Sequence, residues 1–422
     1  MSDSLTAARE HVLALGRAAR AAVPVLAALT TETKNAALAA MADELLAQRD
    51  AIFAANQLDL DAAEANGVTG AMLNRLKVDE KRLQGMVDGL HALIALPDPV
   101  GGVVDGWRRP NGLDIRRVRV PLGVIGIIYE SRPNVTADAA GLCLKSGNVC
   151  ILRGGREAIN SNQAITAALR AGCVAAGVPA EAINLITNTT RDSALALMQA
   201  EGFVDCLIPR GGHGLVQNMI ANAKVPYIVD GAGVCHTYLH SAADPAMATR
   251  IAVNAKCSYP AVCNAMETLL VDAALVDGYL PGLLDELRAS GVELRGDERT
   301  RAVAPEMAAA TEEDWDTEYN DMVLSVRVVD GLDDALAHIA AHGSGHSEAI
   351  VTGDQRAARR FTHEVDAAAV YVNASTRFTD GGEFGFGAEI GISTQKLHAR
   401  GPMGLADLTT TKYIVLGSGQ VR

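Results

Sequence analysis

Cys263 has a sequence context that suits nucleophilic chemistry. It lies in residues 256–264, KCSYPAVCN, where Pro260 favours the first position of a helix because its fixed φ fits there. A thiol in the first turn would lie among unpaired N–H groups at the positive end of the helix dipole, which favours the thiolate. Cys257 competes for this role but precedes the expected helix. We predict that Cys263 is the nucleophile, against the alternative that it is one more small buried hydrophobe.

The remaining cysteines lie in apolar runs and are expected to be buried. Seven cysteines without framework spacing indicate a reducing compartment. No histidine pair completes a zinc set, so no metal site is expected. Residues 1–4 lack the features of a signal peptide, and the sequence is therefore read as cytoplasmic. The cysteines expected to be buried are Cys143, Cys150, Cys173, Cys206 and Cys235.

Asn134 is a second residue with two chemical interpretations. It lies in residues 129–136, YESRPNVT, where the Arg132-Pro133 pair is expected to be extended and to place Asn134 at the start of a helix. Its side chain could cap that helix. It could instead donate an N–H to a reacting carbonyl oxygen, and one well-placed donor stabilises an oxyanion by about 3–4 kcal/mol.

Two turns that follow predicted strands could approach a phosphate-bearing cofactor. Gly211, Gly212 and Gly214 lie in PRGGHG, which opens a helix, and small residues there let a pyrophosphate approach the free N–H groups. Arg153 lies in LRGGR after another strand and could meet a ribose phosphate. Both segments could equally be ordinary turns, since the sequence has neither a Walker A motif nor a G-x-G-x-x-G pattern between strand and helix.

Composition and periodicity predict the elements that must position these residues. A chain of 422 residues with 49% hydrophobic residues fits two or three packed units. Its net charge of −13 argues against nucleic acid and anionic membranes as general partners. The first hundred residues show helical periodicity, and from Val120 onward short apolar runs alternate with helices. This alternation predicts two α/β domains with parallel sheets, joined near residues 235–242.

Several segments together resemble one known family. Residues 129–136, residues 262–268 (VCNAMET), residues 372–378 (VNASTRF) and the long segment 387–404 (GAEIGISTQKLHARGPMG) resemble the γ-glutamyl phosphate reductase family of the aldehyde dehydrogenase superfamily. The likeness covers nearly the whole chain. It implies an α/β, aldehyde dehydrogenase-like fold with a Rossmann-like cofactor domain, an α/β catalytic domain and a small oligomerisation ribbon. The implied boundaries are 1–102 and 120–236 for the cofactor domain, 237–404 for the catalytic domain, and 103–119 with 405–422 for the ribbon.

The resemblance also implies a reaction and its residues. The implied reaction is the NADPH-dependent reduction of L-glutamyl 5-phosphate to L-glutamate 5-semialdehyde in proline biosynthesis, with release of phosphate. Cys263 would form a thioacyl intermediate, and Asn134 would hold the oxyanion. Arg153, with Gly211, Gly212 and Gly214, would contact the cofactor, and Glu318 would contact its ribose. A homo-oligomer, dimer or tetramer, is expected, and an association with glutamate 5-kinase is left open.

An acidic protein needs a local cationic pocket for an anionic substrate. Arg132, Arg377 and Arg400 are the candidates in the family-like segments, and Arg377 is preferred because it follows a strand end. The alternative for each arginine is an ion pair that ties a surface loop to a carboxylate. Lys256 and Lys396 are weaker candidates, because lysine lacks the bidentate fork of arginine.

One departure from related dehydrogenases concerns water. Hydrolytic relatives carry a Glu-Leu-Gly-Gly segment whose glutamate activates water, whereas residues 229–233 here read VDGAG. A missing general base fits reduction, because the thioester must survive until hydride arrives. The alternatives are another acylating or hydrolytic aldehyde dehydrogenase, or a catalytically silent binding relative. The oligomeric state and the preference between NADPH and NADH do not follow from the residues.

Overall fold

The computed structural model describes residues 3–229 and 231–422, apart from the side chains of residues 3, 4, 71 and 213. The chain forms two compact units. The first comprises the described residues up to Val229 together with Gly385–Gly391 and Met403–Arg422. The second comprises the described residues from Gly231 to Phe384 together with Ile392–Pro402.

The division differs from the predicted domain boundaries in several places. Residues 231–236 were assigned to the cofactor domain but lie in the second unit, and the ribbon segments 103–119 and 405–422, with residues 403 and 404, are part of the first unit. Residues 385–391 were assigned to the catalytic domain but lie in the first unit. Backbone hydrogen bonds explain this, because Ile390 N–H donates to the Met403 carbonyl at 3.0 Å and Met403 N–H donates to the Gly391 carbonyl at 2.8 Å. Partners so far apart along the chain cannot be read from local sequence.

The first hundred residues are helical, as predicted, but one helix was missed. Helix α3 buries Ile52, Asn56, Asp59 and Ala63, so half of its buried face is polar and its hydrophobic periodicity is weak. The helices of this region are α1 (Asp3–Ala27), α2 (Thr31–Ala47), α3 (Arg49–Ala65), α4 (Gly70–Leu76) and α5 (Glu80–Ala95).

A four-stranded parallel sheet forms the centre of the first unit. Its order is β5-β4-β3-β6, and β3 is buried along its whole length, which explains its uninterrupted apolar sequence. The elements are β3 (Val124–Tyr129), α6 (Asn134–Lys145), β4 (Val149–Arg153), α7 (Ile159–Ala175), β5 (Ile183–Leu185), α8 (Arg191–Met198), β6 (Cys206–Arg210) and α9 (His213–Asn222).

A separate three-stranded antiparallel sheet joins strands from the two segments that were predicted to form the ribbon. It consists of β1 (Val103–Arg108), β2 (Asp114–Pro121) and β16 (Thr409–Leu416), in the order β1-β2-β16. β16 is exposed along almost all of its length, although it carries Tyr413, Ile414, Val415 and Leu416.

The second unit contains a seven-stranded parallel sheet in the order β10-β9-β11-β8-β7-β12-β13. Its central strand β8 is fully buried. The elements are β7 (Cys235–Leu239), α10 (Pro245–Cys257), β8 (Met266–Asp272), α11 (Leu280–Ala289), β9 (Glu293–Gly296), α12 (Glu298–Val303), β10 (Ala308–Ala309), β11 (Val323–Val329), α13 (Leu332–His342), β12 (Ser347–Val351), α14 (Gln355–Glu364), β13 (Ala369–Val372), and the short pair β14 (Ile392–Ser393) and β15 (Gly401–Pro402). Within the described ranges, no helix has the length and apolar character needed to cross a bilayer.

Candidate active site

The Cys263 segment is a turn, so the predicted helix at Pro260 is wrong. Helix α10 ends at Cys257 and β8 begins at Met266, and Ala265 N–H donates to the Val262 carbonyl at 3.0 Å between them. The short segment between α10 and β8 has to reverse the direction of the chain towards the sheet, and this leaves no room for helical turns. The helix dipole that was predicted to act on Cys263 is therefore absent from this segment.

Asn264 fixes this turn from inside. Its side-chain amide donates to the carbonyl of Thr379 at 2.9 Å and to that of Arg377 at 3.3 Å. Its own carbonyl accepts from the Thr376 hydroxyl at 2.7 Å. Asn264 is buried, so these bonds are shielded from water and stronger for it. Sequence reasoning missed this residue, because its partners lie more than a hundred positions away.

Arg377 lies against the same turn. Its Nε donates to the Ser258 hydroxyl at 3.1 Å, and its Nη1 donates to the Asn264 side-chain oxygen. Among the described residues, no carboxylate forms an ion pair with Arg377, so its charge remains available to an anion beside the nucleophile. The sequence argument for Arg377 used the carboxyl end of a strand, but its segment folds back to the turn that precedes β8.

The segment before β7 packs against the Cys263 backbone. The Cys235 thiol donates to the Cys263 carbonyl at 3.1 Å, and a Cβ at Gly233 would lie only 1.7 Å from that oxygen. Gly233 N–H in turn donates to the Glu318 carboxylate at 2.9 Å. Position 233 therefore accepts only glycine, and Glu318 supplies a carboxylate to the loop in which hydrolytic relatives carry their base. Asp230, the acidic residue noted in that loop, lies outside the described residues.

These segments meet because they precede neighbouring parallel strands. Gly233 precedes β7, Cys263 precedes β8 and Glu318 precedes β11, and β8 lies between β7 and β11 in the sheet. The amino ends of parallel strands share one edge of a sheet, so the three segments lie together there. Burial of the Cys257 thiol at the end of α10 raises its pKa, which favours Cys263 over Cys257 as the nucleophile.

Asn134 lies in the first unit and does not cap its helix. Helix α6 begins at Asn134 itself, after Pro133 in a helical conformation, and the structure shows no side-chain cap bond. The Asn134 amide instead donates to the Asp138 carboxylate at 3.0 Å, one helical turn later. Burial raises the pKa of Asp138 to about 6. The capping interpretation is therefore wrong, and one amide N–H of the exposed Asn134 side chain is held by Asp138.

A small cavity of about 80 Å³ opens beside Asn134. Arg132, Arg210, Asp138 and Glu389 share its lining with Asn134, so the cavity is surrounded by charges of both signs. A buried hydrogen bond also helps to fix the start of α6, because the hydroxyl oxygens of Tyr129 and Thr136 lie 2.7 Å apart.

A cavity of about 470 Å³ lies at the carboxyl ends of β3 and β4 in the first unit. Its lining includes Arg153, Arg156, Arg191, Thr189 and Thr190. The Arg153 guanidinium donates to the carbonyls of Thr189 at 2.7 Å and Thr190 at 3.0 Å, so it braces the cavity wall. Arg156 and Arg191, which sequence reasoning did not select, are exposed and bring two further cations to the cavity.

The glycine turn after β6 is occupied by a side chain of the same unit. Gly212 N–H donates to the Glu130 carboxylate at 3.1 Å, and a Cβ at Gly211 would lie within 2.8 Å of the Glu130 side chain. Only glycine at position 211 leaves room for the Glu130 side chain. The Glu130 carboxylate in turn accepts from the Gly212 N–H group, which a pyrophosphate was expected to use. Gly214 lies in the first turn of α9 with open space around it, beside Leu215 in the cavity lining.

Arg400 forms an ion pair with a carboxylate, which was the alternative to substrate binding for this arginine. It donates to the Asp366 carboxylate at 2.8 Å and to the Asp366 carbonyl at 3.1 Å, and Lys396 also contacts that carboxylate. An arginine neutralised in this way ties a surface loop rather than attracting an anion.

Comparisons with known proteins agree on one family. Residues 3–314 match the model of the aldehyde dehydrogenase family. The chain is 58% identical over 407 residues to the γ-glutamyl phosphate reductase of Moorella thermoacetica, covering 96% of this chain and 97% of that protein. It is 54% identical to the γ-glutamyl phosphate reductase of Syntrophomonas wolfei, covering 98% of this chain and 99% of that protein.

Solved structures are similar in fold. The γ-glutamyl phosphate reductase from Thermotoga maritima superimposes with a TM-score of 0.97 at 47% identity, covering 98% of this chain and 100% of that chain. An acetylating aldehyde dehydrogenase from Geobacillus thermoglucosidasius gives a TM-score of 0.71 at 16% identity, covering 100% of both chains. The second likeness shows the shared fold alone.

Proposed function

Because the chain belongs to the aldehyde dehydrogenase family and, within it, to the γ-glutamyl phosphate reductases, we propose that it reduces L-glutamyl 5-phosphate to L-glutamate 5-semialdehyde with release of phosphate. It is an oxidoreductase of proline biosynthesis that uses a nicotinamide cofactor. The observation that carries this proposal is the turn before β8, where Cys263 lies next to Asn264 and the Arg377 guanidinium contacts Asn264. A nucleophile on this turn with a guanidinium held against the same turn suits attack on an acyl phosphate.

The proposed chemistry begins with the thiolate of Cys263. Its sulfur attacks the acyl carbon, a C–S bond forms, and the C–O bond to phosphate breaks with both electrons leaving on the phosphate. When bound, the reduced nicotinamide supplies the hydride that takes the thioacyl carbon to the aldehyde level. Asn134 and the Cys263 backbone N–H hold the resulting oxyanion, and its collapse breaks the C–S bond and regenerates the thiolate.

The function is tested by the reverse reaction. Purified protein should reduce NADP⁺ with glutamate 5-semialdehyde only when inorganic phosphate is present, because the thioacyl group must be released onto phosphate. Reduction at the same rate without phosphate would indicate a hydrolytic dehydrogenase and contradict the proposal. Coenzyme A in place of phosphate serves as the control for an acylating relative.

The phosphate is proposed to bind at Arg377, with Arg132 as a second contact. Replacing Arg377 by alanine removes a charge-assisted partner of the anion and should cost about 2–3 kcal/mol, which raises the phosphate KM about 30- to 150-fold. The matched control is Arg400→Ala, whose guanidinium is already paired with Asp366. The measurement is the phosphate KM in the reverse reaction, and equal effects of the two substitutions would remove Arg377 from the substrate site.

The cavity at the carboxyl ends of β3 and β4 is proposed to hold the adenosine end of the cofactor. Its volume of about 470 Å³ and its arginine-rich lining suit a ribose that carries a 2′-phosphate, which supports NADPH over NADH. Glu318 is proposed to contact the nicotinamide ribose, and Gly214 with the neighbouring turn to face the pyrophosphate. Gly211 and Gly212 would act there only after the Glu130 carboxylate moves aside.

Arg191 and Arg156 give this preference a direct test. Replacing either with alanine should lower the ratio of kcat/KM for NADP⁺ over NAD⁺ about 10- to 100-fold, because a hydrogen bond to a charged phosphate is lost while the rest of the cofactor is unchanged. The Arg170→Ala variant is the control, since Arg170 bonds to the Ile183 carbonyl outside the cavity lining. An unchanged ratio in both cavity variants would contradict selection of NADPH by these arginines.

The antiparallel sheet of β1, β2 and β16 is proposed as the contact between copies of the chain in a homo-oligomer. Trp107, Val103, Tyr413, Val415 and Leu416 expose apolar surface there, and the Trp107 and Tyr413 rings meet edge to face with centroids 6.2 Å apart. A cytoplasmic location and an association with glutamate 5-kinase remain predictions.

A further inference from the structure

The loop that carries the nucleophile is closed at its base by a buried ion pair. Lys256 lies in the last turn of α10, and Glu267 is the second residue of β8. Their side chains are both 0% exposed, and Lys256 Nζ lies 2.5 Å from Glu267 Oε2. Cys263 lies between them in sequence, so the pair joins the two ends of the turn. This burial also removes Lys256 from the candidates for substrate binding.

Stability alone does not explain such a pair. Burying two charges costs free energy that their attraction offsets only with good geometry and further hydrogen bonds, and an apolar pair of similar size often stabilises as well. Burial raises the pKa of Glu267 to about 7, although the Lys256 charge opposes this. Buried ionic groups of this kind are instead suited to fixing one arrangement of the chain.

The pair also connects the nucleophile turn to the segment that carries Glu318. Glu267 Oε1 accepts from the Asn320 backbone N–H at 3.3 Å, and Lys256 Nζ lies 5.9 Å from the centre of the Tyr319 ring. From Glu318 the contacts return through Gly233 to the Cys263 carbonyl. The nucleophile is therefore held from both sides by one connected set of contacts.

We propose that Lys256 and Glu267 are positioning residues that hold the Cys263 turn in its reactive geometry and tie it to residues 318–320. The assignment rests on the proposed function for the identity of the reaction, but the placement of the thiol can be measured without substrate. Neither side chain touches the reacting atoms, and both act through Cys263. Their loss should lower thiol reactivity and kcat while leaving the binding of phosphate and cofactor nearly unchanged.

The experiment compares two buried ion pairs. Lys256→Met breaks the pair at the nucleophile turn, and Lys34→Met breaks a buried pair in the first unit, where Lys34 lies 2.9 Å from Asp98. Both are made in the full chain with Cys257→Ala, so that iodoacetamide reports on Cys263 in place of its half-buried neighbour. The measurements are the melting temperature, the alkylation rate of Cys263 at fixed pH, and reverse kcat with both KM values.

The expected result distinguishes an effect on the position of the Cys263 thiol from an effect on the stability of the fold. Both lysine variants should melt at lower temperature, but only Lys256→Met should slow alkylation about tenfold or more and lower kcat about 30-fold or more, with each KM within about threefold. The exchange Lys256→Glu with Glu267→Lys should recover part of the alkylation rate, because it restores a pair. Slower alkylation without any reductase activity in the wild type would support the positioning role while contradicting the proposed function.

Two results would overturn the inference. One is a folded Lys256→Met variant with wild-type alkylation rate and kcat, and the other is an equal loss in Lys34→Met. If Lys256→Met does not fold, Glu267→Gln replaces it, because glutamine keeps the shape and the acceptor oxygen. That variant should slow alkylation several-fold, and an unchanged rate would be decisive against the proposal.

Discussion

Replacing Cys263 with alanine should abolish turnover, lowering kcat by at least about 10⁴-fold, because no other group can form the covalent thioacyl intermediate. The fold should persist, since Asn264 holds the turn through its amide and carbonyl groups. The measurement is the reverse reaction under saturating phosphate and NADP⁺, with a melting curve of the same sample.

The control for this substitution is Cys257→Ala. Cys257 ends α10, and burial raises the pKa of its thiol, so its loss should leave kcat within about threefold of wild type. Equal losses in two folded variants would leave the choice of nucleophile unsupported. Substantial turnover by Cys263→Ala would contradict the covalent mechanism itself.

Replacing Asn134 with alanine should lower kcat about 10²- to 10³-fold, which corresponds to the loss of one oxyanion donor. The structure removes the competing explanation, because α6 begins at Asn134 without a side-chain cap bond. The stability change should be small, since the side chain is exposed and its amide donates to Asp138 on the same helix. Kinetics and thermal melts on the same variant measure both effects.

A true helix cap in the same unit provides the matched control. The Thr30 hydroxyl accepts from Thr33 N–H at 3.2 Å at the start of α2. Thr30→Ala should therefore lose about 1 kcal/mol of unfolding free energy with unchanged kcat, the opposite pattern to Asn134→Ala. A normal kcat in Asn134→Ala would exclude the amide from oxyanion stabilisation.

Most elements of the fold could be predicted from periodicity. The strands Val124–Tyr129 and Ala369–Val372 and the helix Gln355–Glu364 belong to the predicted alternation of short apolar runs with helices. The patterns are strong because the buried strand Val124–Tyr129 is apolar throughout and the exposed helix Gln355–Glu364 is amphipathic. Helix α3 was missed because it buries Asn56 and Asp59, whose polar groups are satisfied by distant partners such as Ser161.

The candidate site was predictable in its residues but less so in its geometry. Local sequence indicated Cys263 and Asn134, and the family resemblance implied Glu318, yet the expected helix at Pro260 and the expected cap at Asn134 are both absent. Pro260 favours a helix start locally, but the reversal into β8 and the buried bonds of Asn264 outweigh that preference. The free energy of a local helix preference is smaller than that of a set of hydrogen bonds shielded from water.

The sequence by itself determined the family and most of the order of strands and helices, and it predicted the nucleophile, because these depend on motifs and on local periodicity. Only the tertiary structure decided what surrounds the nucleophile. Contacts such as Glu318 with Gly233 and Asn264 with Thr379 join residues far apart along the chain, and they form because the amino ends of β7, β8 and β11 share one edge. Strand order in a parallel sheet is set by packing of whole elements, so no local pattern reveals which loops will meet.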